Sequence, residues 1–261
     1  MLLNGIVTTG HKFNDKNIQL ARQTAVHMQI PYVPRGSDSI ESLRQRYQAA
    51  FVLVAKKGLL MLETPGGELF FHPNMAHLRV KNLRLGKIDH MVEAMGLKAG
   101  MSVLDCTLGF GADAIVSSFA VGMSGQVTGL EVSPWIAAVI GHGLRHFVAE
   151  NYPIQEAMRH IQVRQQDYLT YLCQAADSSV DIVYFDPMFR HPLRTSANLE
   201  PLRCAADHHP VPVQAVQEAM RVARHRVVLK ENSRSLEFSR LGFNRIYGGR
   251  YSSIHYGVID V

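Results

Sequence analysis

The chain is poor in cysteine, has no long apolar run and shows only a modest excess of charge of one sign. Among its 261 residues no stretch of about 18 apolar residues occurs, so no segment is expected to span a membrane. The first ten residues lack a basic start followed by a long apolar core, so no secretion signal is expected and a cytoplasmic location is. Cys106, Cys173 and Cys204 are odd in number and far apart, which argues against a disulfide framework and suits reduced thiols. A Ser-His-Asp elbow, a P-loop, internal repeats and low-complexity tracts are all missing, which removes the corresponding hydrolase, nucleotidase and solenoid readings.

Apolar residues make up 47% and charged residues 19%, the balance of a folded domain with a sizeable core. The length allows one large α/β domain plus an appendage. A formal charge of +5 and a pI near 9.2 fit a polyanionic partner and equally a plain solvated basic surface.

The first part of the chain reads as a separate α+β module, residues 1–75. Gly5 to Thr9 is a short strand, and Asn14 or Asp15 starts a helix with Ile18, Ala21, Ala25 and Met28 at helical spacing. Pro31-Tyr32-Val33-Pro34 is predicted to be extended. Asp38 and Glu41 have the spacing of a capping box for a helix through Tyr47. Lys57-Gly58 and Pro65-Gly66-Gly67 separate three strand-like runs, which predicts a small antiparallel sheet. Lys12 and Arg35 can extend a basic track in this module. Arg79, Lys81 and Arg84 read either as phosphate contacts or as a solvated linker, the linker being preferred. A helix is expected over Lys87 to Gly96.

From Met101 strands and helices alternate, the pattern of a doubly wound parallel sheet, here a domain over residues 76–261. Strands are predicted at 102–105, 126–131, 161–165, 180–185, 226–230, 243–247 and 254–261. The stretch on which the rest is organised is Val103-Leu104-Asp105-Cys106-Thr107-Leu108-Gly109-Phe110-Gly111-Ala112-Asp113, a buried strand, a glycine turn and a helix start. On this loop alone a dinucleotide and S-adenosylmethionine compete, because Gly109-x-Gly111-x-x-Ala114 with Glu131 also fits the dinucleotide fingerprint.

The remaining acids bear on that choice. Asp105, Glu131, Asp167 and Asp186 each follow a strand, where an open α/β sheet binds its ligand. A dinucleotide needs only the first two. S-adenosylmethionine employs all four: Asp105 toward the methionine ammonium, Glu131 for the ribose hydroxyls, Asp167 for the adenine amine, and Asp186 nearest the methyl. Asp186-Pro187-Met188-Phe189 then specifies the reaction class. An amine conjugated to a base ring is a poor nucleophile. The Asp186 side chain and the Pro187 carbonyl can accept its two hydrogens while Phe189 stacks on the ring. Cys204-Ala205-Ala206-Asp207-His208-His209 looks like metal ligands, but without a second cysteine pair an exposed loop is the preferred reading and no metal site is expected. His191 and Arg194 can contact RNA phosphates or simply face solvent.

These residues resemble a known family. Leu104-Asp105-x-Thr107-x-Gly109-x-Gly111-x-Asp113-Ala114, Glu131 and Asp186-Pro187-Met188-Phe189 are similar to the class I S-adenosylmethionine (SAM)-dependent methyltransferases of the RsmJ family. That resemblance covers roughly Ala76 to Val261, and the N-terminal part looks more like a less characterised bacterial branch. It implies a Rossmann-like seven-stranded sheet and a cofactor pocket that includes Ala112, Asp113, Glu131, Val132, Asp167, Tyr168 and Asp186. It also implies methylation of guanine N2 in small-subunit ribosomal RNA, so that structured RNA or the subunit is the expected partner. Two departures stand out: Arg190 follows Phe189 where the family has proline, and Glu231 follows Lys230 where a basic residue is expected. Methylation of DNA, protein or a small molecule, and a non-catalytic SAM- or nucleic-acid-binding module, are the alternatives.

Overall fold

The computed structural model describes residues 4–150, 152–187 and 200–261. The chain forms two compact units. One holds described residues 4–72, 133–147 and 200–207; the other holds 73–132, 148–150, 152–187 and 208–261.

The first unit begins with β1 (Gly5–Thr9), α1 (Asp15–Met28), α2 (Ile40–Tyr47), β2 (Phe51–Lys56), β3 (Leu59–Thr64) and β4 (Gly67–Phe70). Its sheet has the order β1-β2-β3-β4. β2, β3 and β4 pair antiparallel as expected, but β1 pairs parallel to β2, so the sheet is mixed. Parallel pairing is possible because α1 and α2 lie between the two strands and supply the crossover. Asn14 caps α1 by accepting from the Asn17 N–H at 3.0 Å. The cap of α2 is Ser39, not Asp38: its Oγ accepts from the Ser42 N–H at 2.9 Å, while Asp38 is taken by Arg46. Ile6, Val33, Leu43, Val52 and Val54 form the core of this unit.

The second unit continues with α3 (Asn74–Arg84), α4 (His90–Met95), β5 (Ser102–Asp105), α5 (Ala112–Val121) and β6 (Gln126–Glu131). The next helix, α6 (Pro134–His146), belongs to the first unit, where Trp135 stacks near Phe51 with ring centroids 5.1 Å apart. Gly5 is required there, since a Cβ would come within 2.3 Å of the Trp135 ring. Then follow α7 (Tyr152–Arg159), β7 (Ile161–Gln165), α8 (Tyr168–Gln174), β8 (Val180–Phe185) and α9 (Glu200–Ala205), the last again in the first unit. The chain ends with α10 (Val213–Val222), β9 (Ala223–Asn232), α11 (Glu237–Arg240), β10 (Arg245–Tyr247) and β11 (Ile254–Asp260).

The large sheet has the order β10-β11-β9-β8-β5-β6-β7. β5 to β9 run parallel, and β11 inserts antiparallel between β9 and β10. This is a doubly wound seven-stranded sheet closed by a hairpin. β8 is buried along Ile182 to Phe185, as a strand covered on both faces must be.

Three further expectations change. Residues 77–84 are not a solvated linker but part of α3, with Arg79 turned inward. The helix expected from Lys87 starts later, because Asp89 caps it by accepting from the Met91 and Val92 N–H groups at 3.1 and 3.2 Å. Cys204 is exposed as expected, yet it sits on helix α9 and not in a loop. Among the described residues no helix is long and apolar enough to cross a membrane.

Candidate active site

The strand order of the large sheet reverses at β5, whose neighbours are β6 on one side and β8 on the other. The crevice beyond its carboxyl end is where a ligand of such a sheet binds. The turn that follows is held from three sides. The Asp105 carboxylate accepts from the Thr107 N–H at 3.0 Å. Glu131, ending β6, accepts from the Gly109 N–H at 3.2 Å. Thr107 Oγ1 accepts from the Asp186 N–H at 2.6 Å, which ties the turn to the end of β8. Gly109 and Gly111 have φ of +50° and +75°, the left-handed region that a side chain disfavours, and Gly111 leads directly into Ala112 and α5. Gly129 on β6 makes room for the turn, since a Cβ there would lie 2.6 Å from Leu108.

Asp105, Thr107, Gly109, Gly111, Ala112, Glu131 and Asp186 are thus brought to one rim. Asp167 follows β7 but serves as the cap of α8, its Oδ1 accepting from the Thr170 N–H and hydroxyl, both at 2.8 Å. Tyr168 places its ring edge-on to Phe185, centroids 5.6 Å apart. The Val132 carbonyl accepts from Gln165 Nε2 at 3.0 Å. Pro187 follows Asp186 directly. Phe189 lies outside the described residues, as do Met188, His191 and Arg194.

Asp113 has a different position from the one a pocket-lining role suggests. Its carboxylate, buried in the first turn of α5, accepts from the Tyr184 hydroxyl at 2.7 Å, from Lys230 Nζ at 2.8 Å and from the Arg79 guanidinium. Lys230 also reaches Asp186 Oδ2 at 2.8 Å, and Arg79 forks onto Asp89 at 2.7 and 2.8 Å. Of this network, Asp89-Arg79-Asp113-Lys230-Asp186 with Tyr184, the sequence reading of the site includes Asp113 and Asp186 but not the Asp89, Arg79, Lys230 and Tyr184 that hold them. Two weak signals point to it: Lys230 interrupts the apolar run Val227-Val228-Leu229, and Arg79 shares a helical face with buried Ala76 and Val80.

Burial and neighbours spread the acid pKa values apart. Burial pushes Asp105 up to about 8, with Asp113 and Asp186 adding to the rise. It pushes Asp186 up to about 6 against the pull of Lys230. Asp113 is also buried, yet Lys230 and Arg79 hold it well below the usual carboxylate range. Burial opposes the charge on Lys230, but Asp113 and Asp186 keep it protonated beyond its ordinary range. Both cations are therefore committed to Asp89, Asp113 and Asp186.

A rim that gathers Asp105, Glu131 and Asp186 at strand ends beside the start of α5 suits a ligand that carries a cation and hydroxyl groups. S-adenosylmethionine has both: an ammonium, a sulfonium and a ribose diol. The donor set fits it. Among the described residues no group of three or more His, Cys, Asp or Glu is placed to hold a metal ion.

Comparison with known proteins identifies similar chains. The family model described as SAM-dependent methyltransferase matches residues 41–240. The YpiP protein of Bacillus subtilis is 37% identical over 98% of this chain and 99% of its own length. Ribosomal RNA small subunit methyltransferase J of Alteromonas mediterranea is 31% identical over 56% of each chain, so the match spans about half of that relative. Among solved structures, the SAM-dependent methyltransferase NGO1261 of Neisseria gonorrhoeae superposes with a TM-score of 0.65 at 19% identity, covering 97% of this chain and 95% of that one. That likeness speaks for the fold.

Proposed function

Starting from the fact that the chain belongs to the SAM-dependent methyltransferase family, we propose that its methyl acceptor is an exocyclic amine of a base in RNA, guanine N2 in small-subunit ribosomal RNA. The observation that carries this reading is the mounting of Asp186. Its N–H is held by Thr107, its Oδ2 by Lys230, and Pro187 follows at the open end of β8. The name of the relatives matched over about half their length and the net basic charge support the same acceptor class.

When bound, S-adenosylmethionine supplies an electrophilic methyl on a sulfonium. Glu131 would hold the ribose hydroxyls, Asp105 the ammonium and Asp167 the adenine amine, while Thr107, Gly109, Gly111, Ala112, Val132 and Tyr168 would complete the pocket and Asp113 would support it from behind through Lys230. Asp186 and the Pro187 carbonyl accept the two amine hydrogens, which returns lone-pair density to nitrogen and aims it along the line of attack. Phe189 stacks on the base. Positioning of this kind supplies most of the acceleration, since displacement at a sulfonium needs little acid–base help. A carboxylate raised to about 6 is also a competent acceptor for the proton that nitrogen releases after attack. Within the same reading, residues 76–261 are the catalytic domain and residues 1–75 a module that helps present the RNA.

The test incubates the full chain with methyl-labelled cofactor and small-subunit RNA from cells lacking the gene, then maps labelled nucleosides. Label in N2-methylguanosine that is lost in Asp186→Ala is expected. Label found only in DNA, protein or a small metabolite, or no RNA label from a chain that binds the cofactor, overturns the proposal.

A further inference from the structure

A second switch point lies in the first unit. The extended residues 31–33 run parallel to β1 on the edge away from β2: the Val7 N–H donates to the Pro31 carbonyl at 2.9 Å, and the Val33 N–H to the Val7 carbonyl at 2.8 Å. From β1 the chain passes through α1 to this stretch, and then through α2 to β2 on the opposite side. Strand order therefore reverses at β1, and ligands of parallel strands bind beyond the carboxyl ends at such a reversal. The residues found there are Thr9, Gly10 and His11 after β1, Arg35 after the 31–33 stretch, and Lys56 and Lys57 at the end of β2. The fourteen-residue helix α1 opens from the same loop, with Lys12 just before its Asn14 cap.

Arg35 is the telling residue. It is only 6% exposed, so its guanidinium is a buried charge. One of its terminal nitrogens lies 3.0 Å from His11 Nε2, which places it against the loop that enters α1. Arg35 Nε is buried and has no partner. No carboxylate hydrogen-bonds Arg35 among the described residues: Asp38, whose charge acts on it through space, is gripped by Arg46 at 2.8 and 3.2 Å, and burial together with Glu68 pushes Glu63, the other acid within reach, up toward its neutral form. Burial pulls the Arg35 pKa down against the attraction of Glu63 and Asp38. One residue before the end of β1, the Thr8 hydroxyl is also buried without a partner. Lys12, Lys56 and Lys57 are exposed around the rim, and Asp15 in the first turn of α1 is exposed to solvent.

We propose that the carboxyl end of β1 is an anion site that takes a phosphate group, with Arg35 as its buried anchor. The planar fork of Arg35 matches two phosphate oxygens, the start of α1 offers backbone N–H groups and a favourable dipole, and the lysines add attraction from the rim. The phosphate can belong to a nucleic-acid backbone or to a small phosphate compound. This inference does not depend on which acceptor receives the methyl group.

The experiment compares the full-length wild type, Arg35→Met and Lys12→Ala/Lys56→Ala, with inorganic phosphate and a short RNA oligonucleotide as separate probes. Inorganic phosphate is expected to raise the melting temperature of the wild type and not of Arg35→Met, and to bind that variant at least about tenfold more weakly. If the RNA also binds Arg35→Met about tenfold more weakly and phosphate competes with it, the source is the backbone. If phosphate alone separates the two chains, the source is a small phosphate compound. The double lysine variant changes exposed residues only, so it tests the site even if Arg35→Met fails to fold; phosphate binding about threefold weaker is expected. Equal binding of both probes to wild type and to every folded variant overturns the proposal.

Discussion

The two switch points handle buried charge in opposite ways. Beyond β5 the acids outnumber the bases, and both buried cations, Arg79 and Lys230, are paired on Asp89, Asp113 and Asp186. Beyond β1 a buried guanidinium lies against the His11 ring, and the acids Glu63 and Asp38 act on it only through space, without a hydrogen bond. The backbone topology is alike in both places, a reversal of parallel strands with a helix leaving the central one. What differs is the sign of the side chains placed there. The acid rim suits a cationic, hydroxyl-rich cofactor and the basic one suits an oxyanion, so the fold supplies the location and the side chains choose the ligand.

The comparison breaks or holds first on stability. Asp113→Ala leaves Arg79 and Lys230 facing each other in a buried site, and a loss of about 3–5 kcal/mol in chemical denaturation is expected. Arg35→Met removes a buried charge that no carboxylate hydrogen-bonds and is expected to stay within about 1 kcal/mol of wild type or to gain stability. A loss at Arg35 as large as that at Asp113 would mean that its charge is satisfied after all.

The next effect is catalytic. Asp186→Ala is expected to cost about a hundredfold in kcat on an RNA acceptor, the scale of lost orientation. Asp186→Asn keeps an acceptor oxygen but cannot titrate. Its rate near pH 8 should stay within about tenfold of wild type, while the acid limb that Asp186 gives the wild type at about 6 disappears.

A smaller effect separates Asp105 from Asp113 by sign. Burial, with Asp113 and Asp186 behind it, raises Asp105 to about 8 in the folded chain, against about 4 when unfolded. Its contribution to stability is whole below the unfolded value and is lost as pH rises toward 8, by up to about 1.4 kcal/mol per unit. Denaturation midpoints should fall over that range and fall less in Asp105→Asn. Asp113 behaves in reverse: its contribution is present above the unfolded value and lost as pH falls through its depressed folded value. The smallest effect is expected at the basic rim, where Lys12→Ala alone should weaken phosphate binding about twofold, as one exposed charge does.

Much of the fold was legible because its signals are local. Asn14, Ser133-Pro134 and the glycine turn each announce a helix start within a few residues. The strand-terminal acids mark the ends of β5, β6 and β8 for the same reason. The misses are places where a distant partner decided. Asp38 looked like a cap, but Arg46 drew it away and Ser39 capped α2 instead. Arg79 looked like a solvated linker residue, because its partner Asp113 is 34 residues further on. The parallel pairing of β1 could not be read from the hairpin signals around β2 and β3. Helix α7 buries Ile154, Ala157 and Met158 at helical spacing, a pattern that was present but unread.

By itself, then, the sequence settled where helices and strands begin, that the strands alternate with helices, and which acids stand at strand ends. It could do so because caps, turns and periodicity act over one or two turns of chain. Only the tertiary structure decided which charges are buried, which are paired and which are left to meet a ligand. Lys230 meets Asp113 across 117 residues and Asp186 across 44, and Arg35 meets His11 across 24 while Asp38 hydrogen-bonds Arg46 instead. Coulomb and desolvation energies depend on distances in space, which no local pattern in the chain specifies.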